Sequence, residues 1–355
     1  MKWETTRFSR EEINKAGRVL CSYSATEDEK NEAMIILDNW RASHSYPMTV
    51  FQMTLRIKSR KVDKDALVAQ RLKRVPAIIF KLKRSYHGRR PSMKLYQMQD
   101  IGGCRAILQT VNMARRLYEE HYVKGDLKHK LVANKDYVAE PKDDGYRSFH
   151  LVYEYKSHRA GKKKFNGLRT EVQIRSKIQH IWATAVETTG LFTRQAIKSN
   201  EGSKEWNDFF RLMSSALARL EGCPSVSNTP TDERELYLEV KRLERKLNVI
   251  KLMNGWRKAI NVFNQAARQD PKFKFFLLQL DIQREILNVF AYTKNEEGRA
   301  IEEYSRYEQK NNGQKEFDVV LVGIDNVKDL KKAYPNYFVD TNEFLRYLTA
   351  IVNKY

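Results

Sequence analysis

Apolar residues recur at helical spacing through the N-terminal part of the chain. Residues 11–45 fit amphipathic helices, and Thr26 with Glu29 has the spacing of a capping box at the start of one of them. Residues 48–74 continue the pattern and predict a further amphipathic helix. Pro76 then suits the first turn of another helix. The pattern therefore predicts an N-terminal part made of helices.

In the middle of the chain the apolar spacing changes to the period of two that is typical of strands. DIGGCRAIL (100–108) predicts a turn into a short buried strand, and RSFHLVYEY (147–155) and LRTEVQIRS (168–176) predict two half-buried strands. The helix KIQHIWATAVETTG follows, and we expect Gly190 to cap its end.

The remaining pattern predicts a second part. Residues 203–221 predict a helix, and CPSVSNTPTD (223–232) has the composition of a linker. A long amphipathic helix begins near Leu236, followed by three strands, KFFLLQLDIQ, REILNVFAYT and FDVVLVG, and by the helices EEGRAIEEYSRYEQK, DNVKDLKKAY and NEFLRYLTAIV. This order predicts an α+β fold with a mixed sheet flanked by helices and a smaller C-terminal α+β module on helical anchors. The predicted domains are 1–225 and 226–355.

Positive charge is concentrated in one segment. The formal net charge is +21, and residues 51–200 hold 33 Lys and Arg against 13 Asp and Glu. A solvated basic face normally contains interspersed acidic residues. The excess therefore indicates a polyanionic ligand, such as nucleotide phosphates, nucleic acid or both.

Other features argue against several classes of protein. The chain has no apolar run of membrane-spanning length, and its first residues lack the apolar core of a signal peptide. Its three cysteines, Cys21, Cys104 and Cys223, lie far apart and form no CxxC, so neither a disulfide framework nor a zinc ribbon is supported. We expect a cytoplasmic protein without membrane association.

Four basic residues flank the start of the helix at Pro76. Arg71 and Lys73 precede it, and Lys81 and Arg84 lie on it, one turn apart on one face. Cations beside the free N–H groups of a helix start can hold polyphosphate oxygens. The alternative is an ordinary basic surface helix.

Two carboxylates and one aromatic residue complete the candidate chemistry. Asp100 ends a polar turn, and Glu171 lies on the polar face of its strand, so both are candidate Mg²⁺ ligands, with Glu171 also a candidate general base. Their alternatives are a turn aspartate and a paired surface carboxylate. Tyr146, within KDDGYRSFH, could stack on a base or simply start a strand.

These pieces occur in a characteristic order. QRLKRVPAIIFKLKR, QDIGGCRAIL, KDDGYRSFH and TEVQIRSKIQHIWATAVE resemble the motifs of RelA/SpoT-type alarmone synthetase domains, over about residues 65–190. The chain has neither a GxxxxGK[ST] P-loop nor a kinase signature set. None of its seven histidines is followed by Asp, as the HD pair of the family's hydrolase half would require.

The resemblance implies a reaction and a set of roles. A pyrophosphoryl group would move from ATP to a ribose 3′-hydroxyl, with Mg²⁺ as cofactor and AMP as the leaving group. The implied roles are adenine stacking by Arg71 and Arg105, phosphate binding by Lys73, Lys81 and Arg84, Mg²⁺ binding by Asp100 and Glu171, hydroxyl activation by Glu171, base stacking by Tyr146, and acceptor or phosphate support by His150 and Gln173. Ala77 stands where the family usually has Ser, which removes one hydroxyl from the phosphate site.

Two acceptors fit the sequence: a guanosine nucleotide, which would make an alarmone, and the 3′-terminal adenosine of tRNA. A stacking tyrosine serves either. Cations beyond the ATP site, including Arg89, Arg90 and the run Lys162, Lys163 and Lys164, favour tRNA, because phosphate contacts dominate affinity for RNA. A non-catalytic RNA-binding protein on the same scaffold is a third possibility.

The whole chain resembles the CapRel family of fused toxin–antitoxins, a toxic branch (toxSAS) of the small alarmone synthetases. That resemblance implies an antitoxin region of pseudo-zinc-finger type, antiphage defence, and release of the toxin by a phage capsid protein. No cysteine follows Cys223, so no zinc is expected. Tyr334 and Tyr337 of YPNY resemble the tyrosine motif that blocks the ATP site in that family. The bland alternative is an aromatic turn, and a second YxxY at Tyr304 and Tyr307 shows how common the spacing is.

Overall fold

In the computed structural model the described residues are 3–84, 93–193, 204–270, 272–281, 284, 286–310, 317–323 and 337–355. They form two compact units, each of which is built from two stretches of chain. The first unit is Met1–Tyr137 with Ser148–Lys177, and the second is Val138–Arg147 with Ile178–Tyr355. These units do not coincide with the division at residues 225 and 226, which was predicted from the linker-like composition of residues 223–232 and stays a prediction.

The first unit contains five α-helices and five strands among its described residues. The helices are α1 (Arg10–Cys21), α2 (Glu27–Ser43), α3 (Ser45–Val62), α4 (Val75–Lys83) and α5 (Val111–Tyr118). The strands are β1 (Leu67–Leu72), β2 (Gly102–Leu108), β3 (Lys130–Asp136), β4 (Phe149–Glu154) and β5 (Arg169–Ser176). The capping box of Thr26 and Glu29 and the position of Pro76 in the first turn of α4 are confirmed.

The five strands form one mixed sheet in the order β1-β2-β5-β4-β3. β2 and β5 are parallel, and the other neighbouring pairs are antiparallel. One face of β2, β4 and β5 is buried, and α3 and α5 pack against strands of the sheet. The predicted α+β class, with a mixed sheet flanked by helices, is confirmed.

The prediction of helix through residues 48–74 is wrong in its second half. Helix α3 ends at Val62, and Leu67–Leu72 is a strand. The side chain of Asp63 ends the helix, since its two carboxylate oxygens accept from the N–H groups of Asp65 at 3.0 Å and Gln109 at 2.8 Å. β1 pairs with β2 at the edge of the sheet and has no fully buried face, so it lacks the apolar alternation that would identify a strand.

The second unit is mainly helical, with a small sheet. Its helices are α6 (Lys177–Thr193), α7 (Lys204–Leu220), α8 (Glu233–Leu247), α9 (Val249–Gln269), α10 (Glu297–Lys310) and α11 (Tyr337–Val352). Its strands β6 (Phe273–Asp281), β7 (Ile286–Thr293) and β8 (Phe317–Gly323) form an antiparallel sheet in the order β7-β6-β8, as three of the sequence segments predicted. Among the described segments, every helix is too short or too polar to cross a lipid bilayer.

Two helix boundaries differ from the predictions. Helix α6 continues through Gly190 to Thr193, because buried side chains such as Phe192 hold its last turn in the core. The long helix beyond the connector is two helices, since Asn248 has a left-handed φ of 52° and caps α8. The predicted helix DNVKDLKKAY, residues 325–334, lies outside the described residues.

Residues 223–232, predicted as a linker, are fixed to α7. Val226 is buried, and its N–H donates to the Ser215 hydroxyl at 2.9 Å. Arg219 donates to the carbonyl of Thr231 at 2.8 Å. The segment is therefore a packed connector within the second unit, although its composition is that of a linker.

Candidate active site

The register of the first sheet places the candidate residues on its polar face. Gln173 of β5 lies opposite Arg105 of β2 on one side and His150 of β4 on the other. Glu171, two residues earlier, lies opposite Gly103, which in turn lies opposite Arg71 of β1. Because side chains directly opposite each other point to the same face of a sheet, one surface carries these groups together.

Asp100, just before the start of β2, forms ion pairs with two lysines. Its Oδ2 accepts from Lys73 Nζ at 2.8 Å and its Oδ1 from Lys81 Nζ at 3.0 Å. Lys73 directly follows β1 and its N–H donates to the carbonyl of Ile101 at 2.8 Å, so the backbone fixes its position. Burial raises the pKa of Asp100, but the charges of Lys73 and Lys81 outweigh that effect and hold the pKa below its usual value.

Glu171 is held at both oxygens by side chains of its own sheet. His150 Nδ1 lies 2.8 Å from Oε1, and Gln173 Nε2 donates to Oε2 at 2.7 Å. Arg105 Nε donates to Gln173 Oε1 at 3.3 Å, which orients the amide. Burial acts to raise the pKa of Glu171, but His150, Gln173 and the charge of Lys81 lower it well below its usual range. The carboxylate is therefore ionised at neutral pH.

The two carboxylates suit a magnesium ion that also binds phosphate. They interact, since the charge of Glu171 acts to raise the pKa of Asp100. Among the described residues, no cluster of three or more His, Cys, Asp or Glu side chains could hold a metal by itself. Mg²⁺ commonly takes one or two carboxylates and completes its shell with water and substrate phosphates. The donor set fits that mode of binding.

Gly102 and Gly103, the first two residues of β2, face different surroundings. A Cβ on Gly102 would meet His44 and Met48 of the buried side at 3.4 Å, so this residue lets α3 approach the sheet. A Cβ on Gly103 would come no nearer than 3.8 Å to any described neighbouring heavy atom. Gly103, between Arg71 and Glu171, thus leaves open space on the polar face.

Tyr146 belongs to the second unit and lies in a tight turn. Its N–H donates to Asp144 Oδ1 at 2.9 Å, and its carbonyl accepts from the N–H of Lys142 at 3.2 Å. Its ring is partly buried against the core of that unit, and Lys142 Nζ lies over the ring at 5.0 Å from the centroid. Lys142, only four residues before Tyr146, is not among the site residues predicted from the sequence.

Arg147 is a buried residue that the sequence argument also did not assign. It is 4% exposed, and its guanidinium bonds to Ser214 and to two backbone carbonyls within the second unit. Burial lowers the pKa of Arg147 to about 10, so it keeps its charge at neutral pH. Its partners Ser214 and Pro224 are 67 and 77 residues away in sequence, separations that no local motif reveals.

The basic run in the first unit lies on a 3₁₀ turn over Ala160–Phe165. Lys163 and Lys164 are exposed, whereas Lys162 is half-buried with its Nζ 4.3 Å from the centroid of the Tyr46 ring. Lys162 therefore contributes to local packing by a cation–π contact. Lys163 and Lys164 are the exposed cations of this run that a polyanion can reach.

The other predicted site residues lie at the ends or edges of elements, or outside the described residues. Arg71 is exposed on the edge strand, and Arg84 directly follows α4. Arg89, Arg90 and Tyr334 lie outside the described residues. Tyr337 begins α11, and its side chain is not described.

Part of the chain is similar to known proteins. Residues 70–194 match a family model described as the region found in RelA / SpoT proteins. Two curated relatives from Bacillus subtilis (strain 168) are GTP pyrophosphokinase YjbM, 35% identical over 120 residues, and GTP pyrophosphokinase YwaC, 30% identical over 87 residues. The matches cover 33% and 24% of this chain, and 52% and 40% of the two relatives. The chain thus spans about half the length, or less, of these curated relatives.

Solved structures were compared as well. A crystal structure of small alarmone synthetase 1 from Bacillus subtilis bound to its product pppGpp aligns with a TM-score of 0.41 and 24% identity, over 52% of this chain and 94% of that one. Small alarmone synthetase 2 from the same organism aligns with a TM-score of 0.41 and 20% identity, over 52% and 94%. In sequence, residues 70–194 are similar to the region found in RelA and SpoT proteins, and parts of the chain are similar to the two curated GTP pyrophosphokinases.

Proposed function

We propose that the protein transfers a pyrophosphoryl group from ATP to the 3′-hydroxyl at the CCA end of tRNA, and so blocks translation. The observation that carries the proposal is the pair of ionised carboxylates on the polar face. Asp100 is bridged by two lysines, and Glu171 is held by His150 and Gln173. Such a cluster supplies charge and fixed geometry, which are the main requirements of phosphoryl-type transfer.

In this scheme Lys73 and Lys81 bind the polyphosphate together with a metal at Asp100 and Glu171. When bound, Mg²⁺ would neutralise phosphate charge and hold the polyphosphate oxygens in position. Lys73 and Lys81 are already fixed beside Asp100, so they require little reorganisation to face a phosphate.

Glu171 is better suited to orientation than to proton removal. A general base works best when its pKa lies near the working pH, whereas the pKa of Glu171 is well below its usual range. We assign to it metal binding and a hydrogen bond that orients the attacking hydroxyl. Loose phosphoryl-type transition states need little help from a base.

Arg71 and Arg105 fit a site for the adenine ring. β1 and β2 are antiparallel, and Arg71 lies opposite Gly103, two residues before Arg105. Such diagonal neighbours are about 7–8 Å apart. That separation is twice the ~3.5–4.0 Å contact distance of carbon atoms, which leaves room for one flat ring between two guanidinium planes.

The acceptor is assigned on charge. The exposed Lys163 and Lys164 are additional to the ATP-binding set, and a nucleotide acceptor gives them no role. A guanosine nucleotide is the second candidate acceptor, and its support is that the two curated relatives are named GTP pyrophosphokinases. A non-catalytic RNA-binding role is disfavoured by the ordered Asp100 and Glu171 cluster.

The C-terminal part is proposed as an inhibitor of the same chain. Tyr334 or Tyr337 would occupy the place of adenine between Arg71 and Arg105. A phage capsid protein that binds the open form more tightly would withdraw them. This part of the proposal rests on the sequence motif, since the Tyr334 position lies outside the described residues.

The decisive experiment compares the two acceptors. Full-length protein and its Tyr334→Ala/Tyr337→Ala variant are incubated with Mg²⁺, β-labelled ATP, and either deacylated tRNA or GTP. Label at the tRNA 3′ end is the expected result, strongest in the variant. Label found exclusively in a guanosine product would replace tRNA by the alarmone reaction, and label in neither would refute transfer.

A further inference from the structure

The turn that carries Tyr146 is held by one buried arginine that bonds to three separate segments of the second unit. Arg147 Nε donates to the Ser214 hydroxyl of α7 at 3.0 Å. One Nη donates to the carbonyl of Val138, where the segment begins, at 3.4 Å, and the other to the carbonyl of Pro224 in the connector at 2.7 Å. The planar guanidinium thus joins the segment, the helix and the connector.

Ser214 completes this arrangement from the side of α7. Its hydroxyl accepts from Arg147 and donates to the carbonyl of Gly145 at 2.6 Å. Gly145 has a φ of +92°, and a Cβ there would lie 2.9 Å from Ser214 Cβ and 3.0 Å from Trp182 Cζ2. The residues on both sides of Tyr146 are therefore fixed to buried groups.

The backbone of Tyr146 is fixed as well, because its N–H and C=O are bonded to Asp144 and Lys142. With both neighbours and both backbone groups bonded, the direction of the Cα–Cβ bond of Tyr146 is determined. A ring held in advance loses less entropy when a base stacks on it than a ring on a mobile turn.

An anion site is the competing interpretation of a buried arginine. It fits poorly, because the Nε and both Nη groups of Arg147 already donate to protein acceptors. A lysine could supply the charge but not three donors in one plane. The geometry requires an arginine for the connections that it makes.

We infer that Arg147 is a positioning residue for the acceptor: through Ser214 and Gly145 it fixes Tyr146 for base stacking, and through Pro224 it makes that placement depend on the connector. This inference rests on the proposed function, since it takes Tyr146 as the ring that stacks on the acceptor base. The connector leads directly into α8, so a change in the C-terminal helices that moves Pro224 would loosen the Tyr146 turn.

The test measures equilibrium binding, separately from transfer, to the full-length protein carrying Tyr334→Ala/Tyr337→Ala, in which the proposed inhibitor does not occupy the ATP site. The probes are deacylated tRNA, GTP and a non-hydrolysable ATP analogue. Arg147→Lys should weaken binding of the better acceptor probe by about tenfold, within the range expected for a base stacked on an aromatic ring. The affinity for the ATP analogue should not change. Arg219→Lys is the matched control, because Arg219 binds the same connector from α7 without contacting the Tyr146 turn in any described bond, and it should leave all three affinities unchanged.

A double-mutant cycle separates positioning from general stability. In the Tyr146→Ala background, Arg147→Lys should cause no further loss of acceptor affinity, because the ring that it positions is gone. Additive losses, or an equal loss of ATP-analogue affinity, would make Arg147 a general structural residue and overturn the inference. If Arg147→Lys does not fold, Ser214→Ala carries the same comparison with the same expected split.

The outcomes distinguish this inference from the proposed function. Tyr334→Ala/Tyr337→Ala protein that binds an acceptor probe but transfers nothing refutes the proposed reaction and leaves the binding comparison valid. The same protein that transfers, with unchanged acceptor affinity in Arg147→Lys and Ser214→Ala, refutes the inference alone. The same protein that binds neither acceptor probe refutes the role of Tyr146 and the inference with it.

Discussion

Replacing Gly145 by alanine tests the packing of the Tyr146 turn most sharply. Gly145 has a φ of +92°, and a methyl group there would meet three neighbours: Ser214 Cβ at 2.9 Å, Trp182 Cζ2 at 3.0 Å and the carbonyl oxygen of Phe210 at 3.2 Å. One of these atoms is backbone and the others are buried, so none can move away easily.

The expected loss has two parts. Holding an alanine in a left-handed conformation costs roughly 1–2 kcal/mol. Forcing a methyl group into a well-packed site costs typically about 1–3 kcal/mol more. Gly145→Ala should therefore destabilise the second unit by roughly 2–5 kcal/mol, a large share of an ordinary domain stability of about 5–15 kcal/mol.

Two other glycines of the same unit serve as controls. Gly222 has a φ of +64°, and a methyl group there would have no described heavy atom within 4 Å, so Gly222→Ala should show the conformational cost alone, roughly 1–2 kcal/mol. Gly298 lies near the start of α10 in open space, and alanine there should be neutral or stabilising by up to about 1 kcal/mol.

The assay is urea unfolding followed by tryptophan fluorescence. Three of the five tryptophans, Trp182, Trp206 and Trp256, lie in the second unit, so the signal reports mainly on that unit. The order of stability should be Gly298→Ala, then Gly222→Ala, then Gly145→Ala. If Gly145→Ala costs no more than Gly222→Ala, residue 145 is not packed against α7 as described.

Four further predictions follow from the site and its surroundings. Glu171→Gln should abolish transfer in a labelled-ATP assay while the protein stays folded, and retained activity would remove Glu171 from the site. Because the pKa of Glu171 is lowered in the folded protein, its ionised carboxylate stabilises the fold at pH values above its unfolded pKa of about 4.3, and this stabilisation is lost as the pH falls further. The urea midpoint of wild type relative to Glu171→Gln should therefore drop only below about pH 4.3. A drop near pH 6 would contradict the assignment. Lys163→Glu with Lys164→Glu should reduce the log–log salt slope of tRNA binding by about 1.5, with ATP binding unchanged; an equal loss of ATP affinity would place these lysines in the nucleotide site. Tyr334→Ala with Tyr337→Ala should make the full-length chain toxic without a phage trigger, and a silent variant that still folds and binds ATP would place the blocking segment elsewhere.

The strands that carry the site were predictable because one of their faces is fully buried. β2, β4 and β5 alternate buried and half-buried residues, so their apolar period is visible in the sequence. β1 and β3 form the edges of the sheet and lack that contrast. β1 was therefore predicted as helix, and β3 and α5 were not predicted at all.

Contacts between segments that are distant in sequence were the other feature that could not be predicted from the sequence. The bond between Arg147 and Ser214 spans 67 residues, and nothing in either local sequence indicates it. Asn248 ends α8 through its left-handed backbone conformation. In the sequence, however, Asn248 is a single polar residue within a continuous helical pattern. The candidate site residues were easier to predict from the sequence, because Asp100, Glu171 and Tyr146 occur in ordered motifs that resemble those of a known family.

The most direct test of the central claim follows each phosphorus atom of ATP. ATP labelled separately at the α, β and γ positions is incubated with Mg²⁺, deacylated tRNA and full-length protein, with the Tyr334→Ala/Tyr337→Ala variant in parallel. The account predicts that β- and γ-label move together to the tRNA 3′ end while α-label remains in AMP, and that Glu171→Gln in the variant background prevents both. Transfer of γ-label alone with formation of ADP, or no transfer by either protein, would contradict it.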